Sequence, residues 1–566
     1  MGTTPHWRVH AVLVALGVAT AAPCGAASLR ERDEAWSPPR IVELAEGETL
    51  PTPADLEARG ATVGEILVRV YDVFDPSDPR EDNWLYRTAN TLHYKTRHPT
   101  VVNQLTFQAG QPLKAQRMEE SERILRQRRY LYDAVVRIAR YDLATNVADI
   151  EVSVRDVWTL NPGVSYSNTG DRSRTSFEIE ELNLFGRGQK LQLGWDDDVD
   201  RTSTSVQWLN HNLLGSRWEL ALNYADLSDG QTQSIALERP FYSLDARRAT
   251  GGYVLDDLRV QTRYDLGQPV DAFEVDTLQY DLHYGWSKGL ENGWTRRWIA
   301  GLRYDEQAFA EVPGETPPET LPEYRKFVYP WIGREWVQDA YQQVRNHDQI
   351  GRREDVYLGT AWRAYVGWAG TGLGSSDDAL LLSGSLTSAR EYRPGKEWSF
   401  DAATRGRIQS RDLRDAVLTA QARHYWRIDR RQTFYASLTG TLTEELDPDR
   451  QLLLGAEEGL RGYPLRYQTG TASALVTLEH RVYTDWYPFR WFHVGGAVFF
   501  DTGRTWGPTL GGEPPRGWLS DVGLGLRLGN SRSGLGSTIH VDFTYALNAV
   551  PGEDRFTITV DTKRGF

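Results

Sequence analysis

Cysteine is almost missing from this chain. Of 566 residues one is cysteine, Cys24, and two are methionine. Cys24 falls inside an N-terminal stretch that reads as a cleavable leader, so disulfides and cysteine-ligated metals are excluded from the rest. Long apolar runs are missing as well. Past the N-terminus none approaches the roughly 18 residues of a membrane-crossing helix, and mean hydropathy is −0.52. That excludes a helical membrane protein. It leaves a membrane β-barrel open, because half of every barrel strand is polar. Basic charge is in deficit: 64 Lys and Arg against 77 Asp and Glu leave −13, which argues against a nucleic-acid binder and its basic patch.

Aromatic residues are abundant, with 20 Trp and 27 Tyr. Girdles of Trp and Tyr at two membrane interfaces would use them. So would cross-strand pairs in a large soluble β-protein. The N-terminus carries Arg8, an apolar core from Ala11 to Ala22, and the small residues Gly25-Ala26-Ala27 before Ser28. This is the pattern of a signal peptide over residues 1–27. Pro23, directly before Cys24, does not suit a lipoprotein box.

Residues 28–62 are rich in Glu, Pro and Arg without periodicity and read as a flexible leader. A small mixed unit is expected over 63–158. Glu65 to Val70 is strand-like. Trp84 to Tyr94, Thr100 to Phe107 and Lys114 to Tyr130 read as helices, the last built from strong helix formers. Ala134 to Arg140 and Ala148 to Arg155 are strands, giving the order strand, helices, strand, strand. Arg123, Arg126, Arg128 and Arg129 crowd the long helix. A solvated face is the plain expectation there, and lipid phosphate or an acidic partner the sharper one.

From 159 to 566 helix signals vanish and alternation takes over. Leu278, Tyr280, Leu282, Tyr284 and Trp286 alternate with polar or tiny residues, and so do Ile539, Val541, Phe543, Tyr545 and Leu547. Clusters of Gly, Asp, Asn, Ser and Pro separate such runs. A soluble sandwich can produce the pattern. The number of strands, with no helices to cover the sheet, favours a closed transmembrane barrel. The last strand places Phe556, Ile558 and Val560 on one face, with the terminal Phe566 in the same parity, against Thr557, Thr559 and Asp561.

One segment departs from the alternation. Leu460-Arg461-Gly462-Tyr463 sits in a long connection between strands and resembles the loop motif of the POTRA-plus-barrel assembly and secretion superfamily, the BamA, TamA and FhaC type. Five strand candidates follow it, near 474–483, 492–501, 521–528, 538–547 and 555–562, the number this superfamily places there. Phe499-Phe500-Asp501-Thr502-Gly503 resembles its Phe-x-Asp-x-Gly element. Asn183-Leu184-Phe185-Gly186-Arg187-Gly188 resembles a turn common in such barrels. Glu122 to Val135 is similar to the end of a POTRA helix and its next strand. The terminal aromatic Phe566 resembles an outer-membrane assembly signal.

The resemblance implies a C-terminal antiparallel barrel of sixteen strands, where counting gives up to twenty, with the extra hairpins expected at 201–230 and 378–411. It implies one POTRA-like α+β domain in the periplasm, and a loop around 455–470 that turns inward. In that loop Arg461 would meet Asp501, a bidentate, charge-assisted contact. Gly462 would allow a tight turn, and Tyr463 would pack on the wall. Phe499 and Gly503 would complete the wall side.

The implied function is assembly or insertion of unfolded chains at the outer membrane. A secretion pore for a dedicated polypeptide, or a passive porin-like barrel, is the alternative. Implied partners are unfolded outer-membrane or secreted polypeptides and outer-membrane lipids, with periplasmic or lipoprotein partners an open question and nucleic acid not among them. No enzyme is expected: no catalytic residue, no cofactor and no metal. Asp501-Thr502-Gly503 spells an aspartic-protease tripeptide, but that chemistry needs a second copy. Gly370 to Gly374 is followed by Ser375-Ser-Asp-Asp, a turn rather than a phosphate cradle. No Gly-x-Ser-x-Gly elbow occurs, and the 11 histidines form no metal-spaced cluster.

Overall fold

The computed structural model describes residues 36–44, 49–169, 172–512, 514–534, 538–550 and 554–563. The expected signal segment 1–27 and Phe566 lie outside the described residues. Four helices, α1 (Pro53–Ala58), α2 (Trp84–Leu92), α3 (His98–Val102) and α4 (Ala115–Gln127), accompany three strands, β1 (Thr62–Tyr71), β2 (Leu131–Asp142) and β3 (Val147–Asp156). The sheet order is β1-β3-β2, with β1 parallel and β2 antiparallel to β3.

The alternation of β3 puts Ile150, Val152 and Val154 into a core shared with Met118 and Leu125 of α4 and Leu56 of α1. Its other face is covered as well. Glu151 accepts hydrogen bonds from Arg137 Nη2 at 2.6 Å and from the Ile41 amide at 2.9 Å. Residues 28–62 are therefore not a flexible leader throughout: α1 is capped by Thr52 and buries Leu56, and the segment around Pro38 to Ile41 lies on the sheet. The helix expected over 100–107 is only α3. After Asn103 closes it, Leu105 and Phe107 turn into the core, and the Thr106 amide donates to Ser121 Oγ at 2.9 Å.

From Leu160 on, twenty strands pair consecutively and antiparallel, and the twentieth returns to the first to close a barrel. Fifteen precede the long loop and five follow it. The sixteen implied by resemblance are exceeded, and residues 201–230 and 378–411 each contribute two full wall strands.

The wall is inverted relative to a soluble protein. On the eighth strand (Gln268–Glu291) Tyr280, Leu282, Tyr284 and Trp286 are exposed, Leu282 by 67%, while Asp281 between them is buried. On the nineteenth (Thr538–Ala546) Phe543 and Tyr545 are exposed, while Asp542 and Thr544 are buried. A soluble sandwich buries its apolar face. Here that face is outermost, the arrangement of a barrel standing in lipid. Closure pairs the last strand with the first, where lipid offers unpaired backbone groups no water. No described helix is long and apolar enough to cross a membrane.

The small domain lies against one rim, the proximal rim. Arg126 holds Asp355 through two hydrogen bonds of 2.7 Å. Arg129 holds Glu180 at 2.7 and 2.6 Å. Arg117 pairs with Asp245 at 2.5 Å, and Arg532 of the barrel donates to the Val73 carbonyl at 2.9 Å. Of the arginines expected on a solvated helix face, Arg123, Arg126 and Arg129 are spent on acidic residues of the barrel, while Arg128 bonds Gln104 within the small domain. Turns between strands fit the same surface. In Asn183 to Gly188, Phe185 adopts φ 54°, and the Gly186 carbonyl so presented accepts from the Arg97 amide at 3.0 Å and Thr100 Oγ1 at 2.9 Å. Asn212-Leu213-Leu214-Gly215 repeats this turn, with Leu214 at φ 53°, and Asn212 meets Gln104.

Candidate functional site: a loop held inside the barrel

The connection between the fifteenth strand (Gln432–Glu444) and the sixteenth (Ala472–Tyr483) folds inward at the distal end. A short hairpin, Leu452–Leu454 with Gln468–Gly470, forms its base, and the motif occupies its tip. Arg461 Nε donates to Asp501 Oδ2 at 2.7 Å and Nη2 to Asp501 Oδ1 at 3.0 Å. Nη1 donates to Glu479 Oε1 at 2.9 Å and lies 3.7 Å from Asp542. The guanidinium also sits 3.4 Å from the centre of the Phe499 ring. Burial works against the Arg461 charge, but Asp501, then Glu479 and Asp542, raise its pKa above the ordinary arginine value. Such a buried cation is tolerable only because its donors are met.

Leu460 and Tyr463 are buried in a cluster with Leu454, Tyr467, Leu475 and Leu519. Tyr463 Oη donates to the Ser520 carbonyl at 2.9 Å and to Asn548 Oδ1 at 2.6 Å. Gly462 lies in the tight turn expected of it, closed by the Tyr463 amide donating to the Leu460 carbonyl at 3.0 Å, but it is not left-handed there. The left-handed residues within 455–470 are Gly459, at φ 118°, and Arg466, at φ 58°. Gly462 is required by proximity: its amide donates to Asp521 Oδ2 at 3.1 Å, and a Cβ on it would meet Asp521 Cβ at 2.7 Å. Gly503 leaves room for Leu454 of the loop hairpin.

Sequence reasoning missed the other half of this network. Asp521 on the eighteenth strand (Leu519–Asn530) is the direct register partner of Asp501 on the seventeenth (Phe492–Trp506). Glu479 and Asp542 look like any inward polar residue, so nothing in the pattern marks them. Across the lumen, Arg466 binds both oxygens of Asp200 at 2.5 Å, and Arg407 binds Asp447 at 2.8 and 2.7 Å. The loop is therefore fixed to opposite walls.

A cavity of about 310 Å³ adjoins the motif, lined by Arg461 and Glu457 of the loop, Tyr166, Ser176 and Asp542 of the wall, and Val560 and Asp561 of the last strand. It borders the seam where the twentieth strand (Phe556–Lys563) meets the first (Leu160–Thr169). Among the described residues that seam has three paired positions: Ile558 with Asn168, Thr559 with Ser167 and Val560 with Tyr166. The adjoining pairing of the nineteenth and twentieth strands runs from Tyr545 with Phe556 to Thr538 with Lys563. Phe556 and Ile558 face outward and are exposed.

The proximal end is filled from below. Between the tenth strand (Arg325–Gln338) and the eleventh (Thr360–Ala369), a hairpin pairs Tyr341–Arg345 with Arg353–Tyr357. Its base binds the small domain: Asp355 takes Arg126, and Arg353 takes Asp133 at 2.7 Å. Its tip enters the lumen. His347 stacks 4.1 Å from Tyr425 and lies 3.3 Å from Glu397, and Ile350 packs where a Cβ on Gly529 would stand.

His347, Asp348 and Glu354 bring ligand-type atoms within 4.8 Å. Glu354 is already occupied by the amides of His347, Asp348 and Gln349, and His347 lies between two carboxylates. The group closes on itself as an ion-pair network rather than offering an open metal site.

No family model and no curated protein matches the chain. Among solved structures it is similar to CdiB from Acinetobacter baumannii, at 12% identity and TM-score 0.45, over 88% of this chain and 73% of that one. It is also similar to BamA from Haemophilus ducreyi lacking POTRA domains 1–3, at 12% identity and TM-score 0.38, over 88% and 84%. CdiB from Escherichia coli follows at 11% identity and TM-score 0.34, over 92% of each chain.

Proposed function

We propose that this protein is an outer-membrane assembly factor that takes unfolded chains through its N-terminal domain and inserts them by way of its barrel. In this reading the proximal rim is periplasmic and the small domain is POTRA-like. The outer edge of β1 beyond Val63 accepts an extended segment of the client by strand addition, whereas the β2 edge is already bonded to Glu122, Arg126 and Arg40. The short seam between the first and last strands then serves as the template on which the client's edge strand pairs inside lipid, where unpaired backbone groups have no water. Folding and burial of the client drive the step, so neither a nucleotide nor a metal is required.

The observation that carries this reading is the shared cavity of the loop motif and the seam. Arg461 is locked to the seventeenth and sixteenth strands, and the residues beside it border the first and last. A loop so placed holds the wall next to the seam in one shape, while the seam pairs at three positions among the described residues.

A second reading is a pore for one dedicated polypeptide. It is favoured by a lumen cavity of about 750 Å³ lined by Tyr253, Tyr329, Trp331, Arg363 and Arg405 and bordered by Asp447 and Arg450 of the inward loop. A passive porin is disfavoured, because both ends of the lumen are occupied. The test is purified full-length protein in liposomes, mixed with an unfolded outer-membrane barrel and scored by protease protection. Assembly faster than in empty liposomes supports the insertase. No difference, together with transfer of a secreted polypeptide into the vesicles, supports the pore.

A further inference from the structure

Helix α2 has two faces of opposite fate. At about 100° per residue, Tyr86 and Ala89 fall on one side, where they pack against Phe74 and Trp491. The Tyr86 hydroxyl donates to the Phe489 carbonyl, in the turn between the sixteenth and seventeenth strands, at 2.6 Å. The other side carries Trp84, Leu85, Thr88 and Leu92. Trp84 is 73% exposed, Leu85 54% and Leu92 67%. Asn83 caps the helix on the Tyr86 amide, so the apolar face belongs to a well-formed helix and is not fraying chain.

The face is continuous with the barrel's own rim. Tyr94, just beyond the helix, meets the Phe185 ring edge-on at 5.6 Å. Phe185, Trp486 and Phe489 at the turn tips are themselves exposed. Phe185 continues the outward line of Phe177 and Ile179 on the second strand (Arg172–Glu181), which are exposed on the lipid side. Arg87, Lys95, Arg97 and His98 are exposed beside this patch, Arg87 paired with Asp82 at 2.7 Å and Lys95 with Asp72 at 3.0 Å. Trp and Tyr with basic neighbours beside an apolar helix face is the composition of an interfacial segment.

We propose that α2 is a membrane-surface helix, with Trp84, Leu85 and Leu92 seated in the periplasmic leaflet beside the turns that carry Phe185 and Phe489. The occupant is lipid. These turns stand two strands to one side of the seam and four to the other, so the small domain would be held at the membrane across the part of the wall that contains the seam rather than hanging free. The inference rests on the barrel standing in a bilayer and not on its assembling clients.

The test uses the full chain with Cys24→Ser, the only cysteine, reconstituted in vesicles. An environment-sensitive fluorophore is placed at Leu92→Cys or, as a control, at Leu143→Cys, in the 75% exposed β2–β3 turn. Both positions are exposed, and heat-modifiable migration checks that each barrel is folded. Nitroxide-bearing lipids should quench the Leu92 probe and shift its emission to the blue while leaving the Leu143 probe unchanged. Vesicles with and without acidic lipid separate apolar seating from attraction by Arg87 and Lys95; quenching in either supports the proposal. A Leu92 probe that responds to aqueous iodide as strongly as the Leu143 probe, and not to labelled lipid, overturns it. So does a probe blind to lipid that responds only to added unfolded polypeptide, which would make this a client surface.

Discussion

The Arg461 guanidinium lies 3.4 Å from the centre of the Phe499 ring while grasping both oxygens of Asp501, two residues further along the same strand. Ring and carboxylate both face the lumen, because side chains two apart share a face. One arginine therefore fastens the loop by stacking and by a bidentate pair at once. Lysine has neither the planar stack nor the fork.

Replacing Arg461 should cost more than the loss of a surface pair. Arg461→Ala leaves Asp501 and Glu479 buried with a partner missing, a situation worth about 3–5 kcal/mol. Arg461→Lys should restore only part. The expected outcome is a barrel that still shows heat-modifiable migration but whose residues 455–470 are cut by external protease. An uncut loop in Arg461→Ala would show that Leu460 and Tyr463 hold it unaided.

Gly462→Ala should act through contact and not through backbone strain. Its Cβ would press on Asp521 Cβ at 2.7 Å, an overpacking expected to cost about 1–3 kcal/mol. Gly459→Ala should also destabilise, but through its left-handed conformation. Asp521→Gly, which removes the Cβ that the new methyl would meet, should rescue Gly462→Ala and leave Gly459→Ala unrescued, as read by thermal unfolding of the loop-dependent transition.

The contact between Arg126 and Asp355 joins the small domain to the proximal hairpin, and both side chains are buried. A double-mutant cycle with Arg126→Ala and Asp355→Ala should give a coupling of about 0.5–3 kcal/mol. Limited proteolysis should show the domain loosened in either single mutant. Additive effects would mean that the other rim contacts fix the domain without this one.

The hairpin tip should loosen as pH rises. Burial opposes the charge of His347, but the hydrogen bonds and charges of Asp348 and Glu397 carry its pKa up to about 9. A raised histidine stabilises fully below its unfolded value of about 6.5 and loses that contribution as pH climbs through 9. Burial, then Asp348, lifts Glu354 to about 7, which has the same sign at lower pH. Burial raises Asp348, but His347 and Arg481 bring it down to about 2, so it stays charged throughout. Tyr425 and Glu397 face the imidazole from the wall. Bilayer conductance should therefore increase between pH 7 and 10, and His347→Gln should flatten that rise. A pH-independent conductance in the unmodified protein would contradict the tip's role as a closure.

Much of the wall was legible because a strand with one wet and one lipid face prints its period of two, as Tyr280, Leu282 and Tyr284 do. The five strands after the loop begin within a few residues of where alternation resumes. The pairing of Arg461 with Asp501 rested on a motif, since 40 residues separate them. What stayed hidden depends on distance in the chain. Arg126 finds Asp355 229 residues away, so its helix face looked solvated. The tip Asn346 to Arg352 reads as an ordinary polar turn, and only the fold turns it into the lumen. The close approach of Gly462 to Asp521 leaves no trace in spacing.

The central claim is that the seam between the first and last strands must open for assembly. Tyr166 and Val560 are register partners across it, close enough for a disulfide once both are cysteine. The measurement is assembly of an unfolded barrel into liposomes by the Cys24→Ser protein carrying Tyr166→Cys and Val560→Cys, oxidised and then reduced. The account expects the oxidised protein to be inactive and the reduced one to recover. Equal assembly in both states would contradict it and leave the lumen, not the seam, as the route.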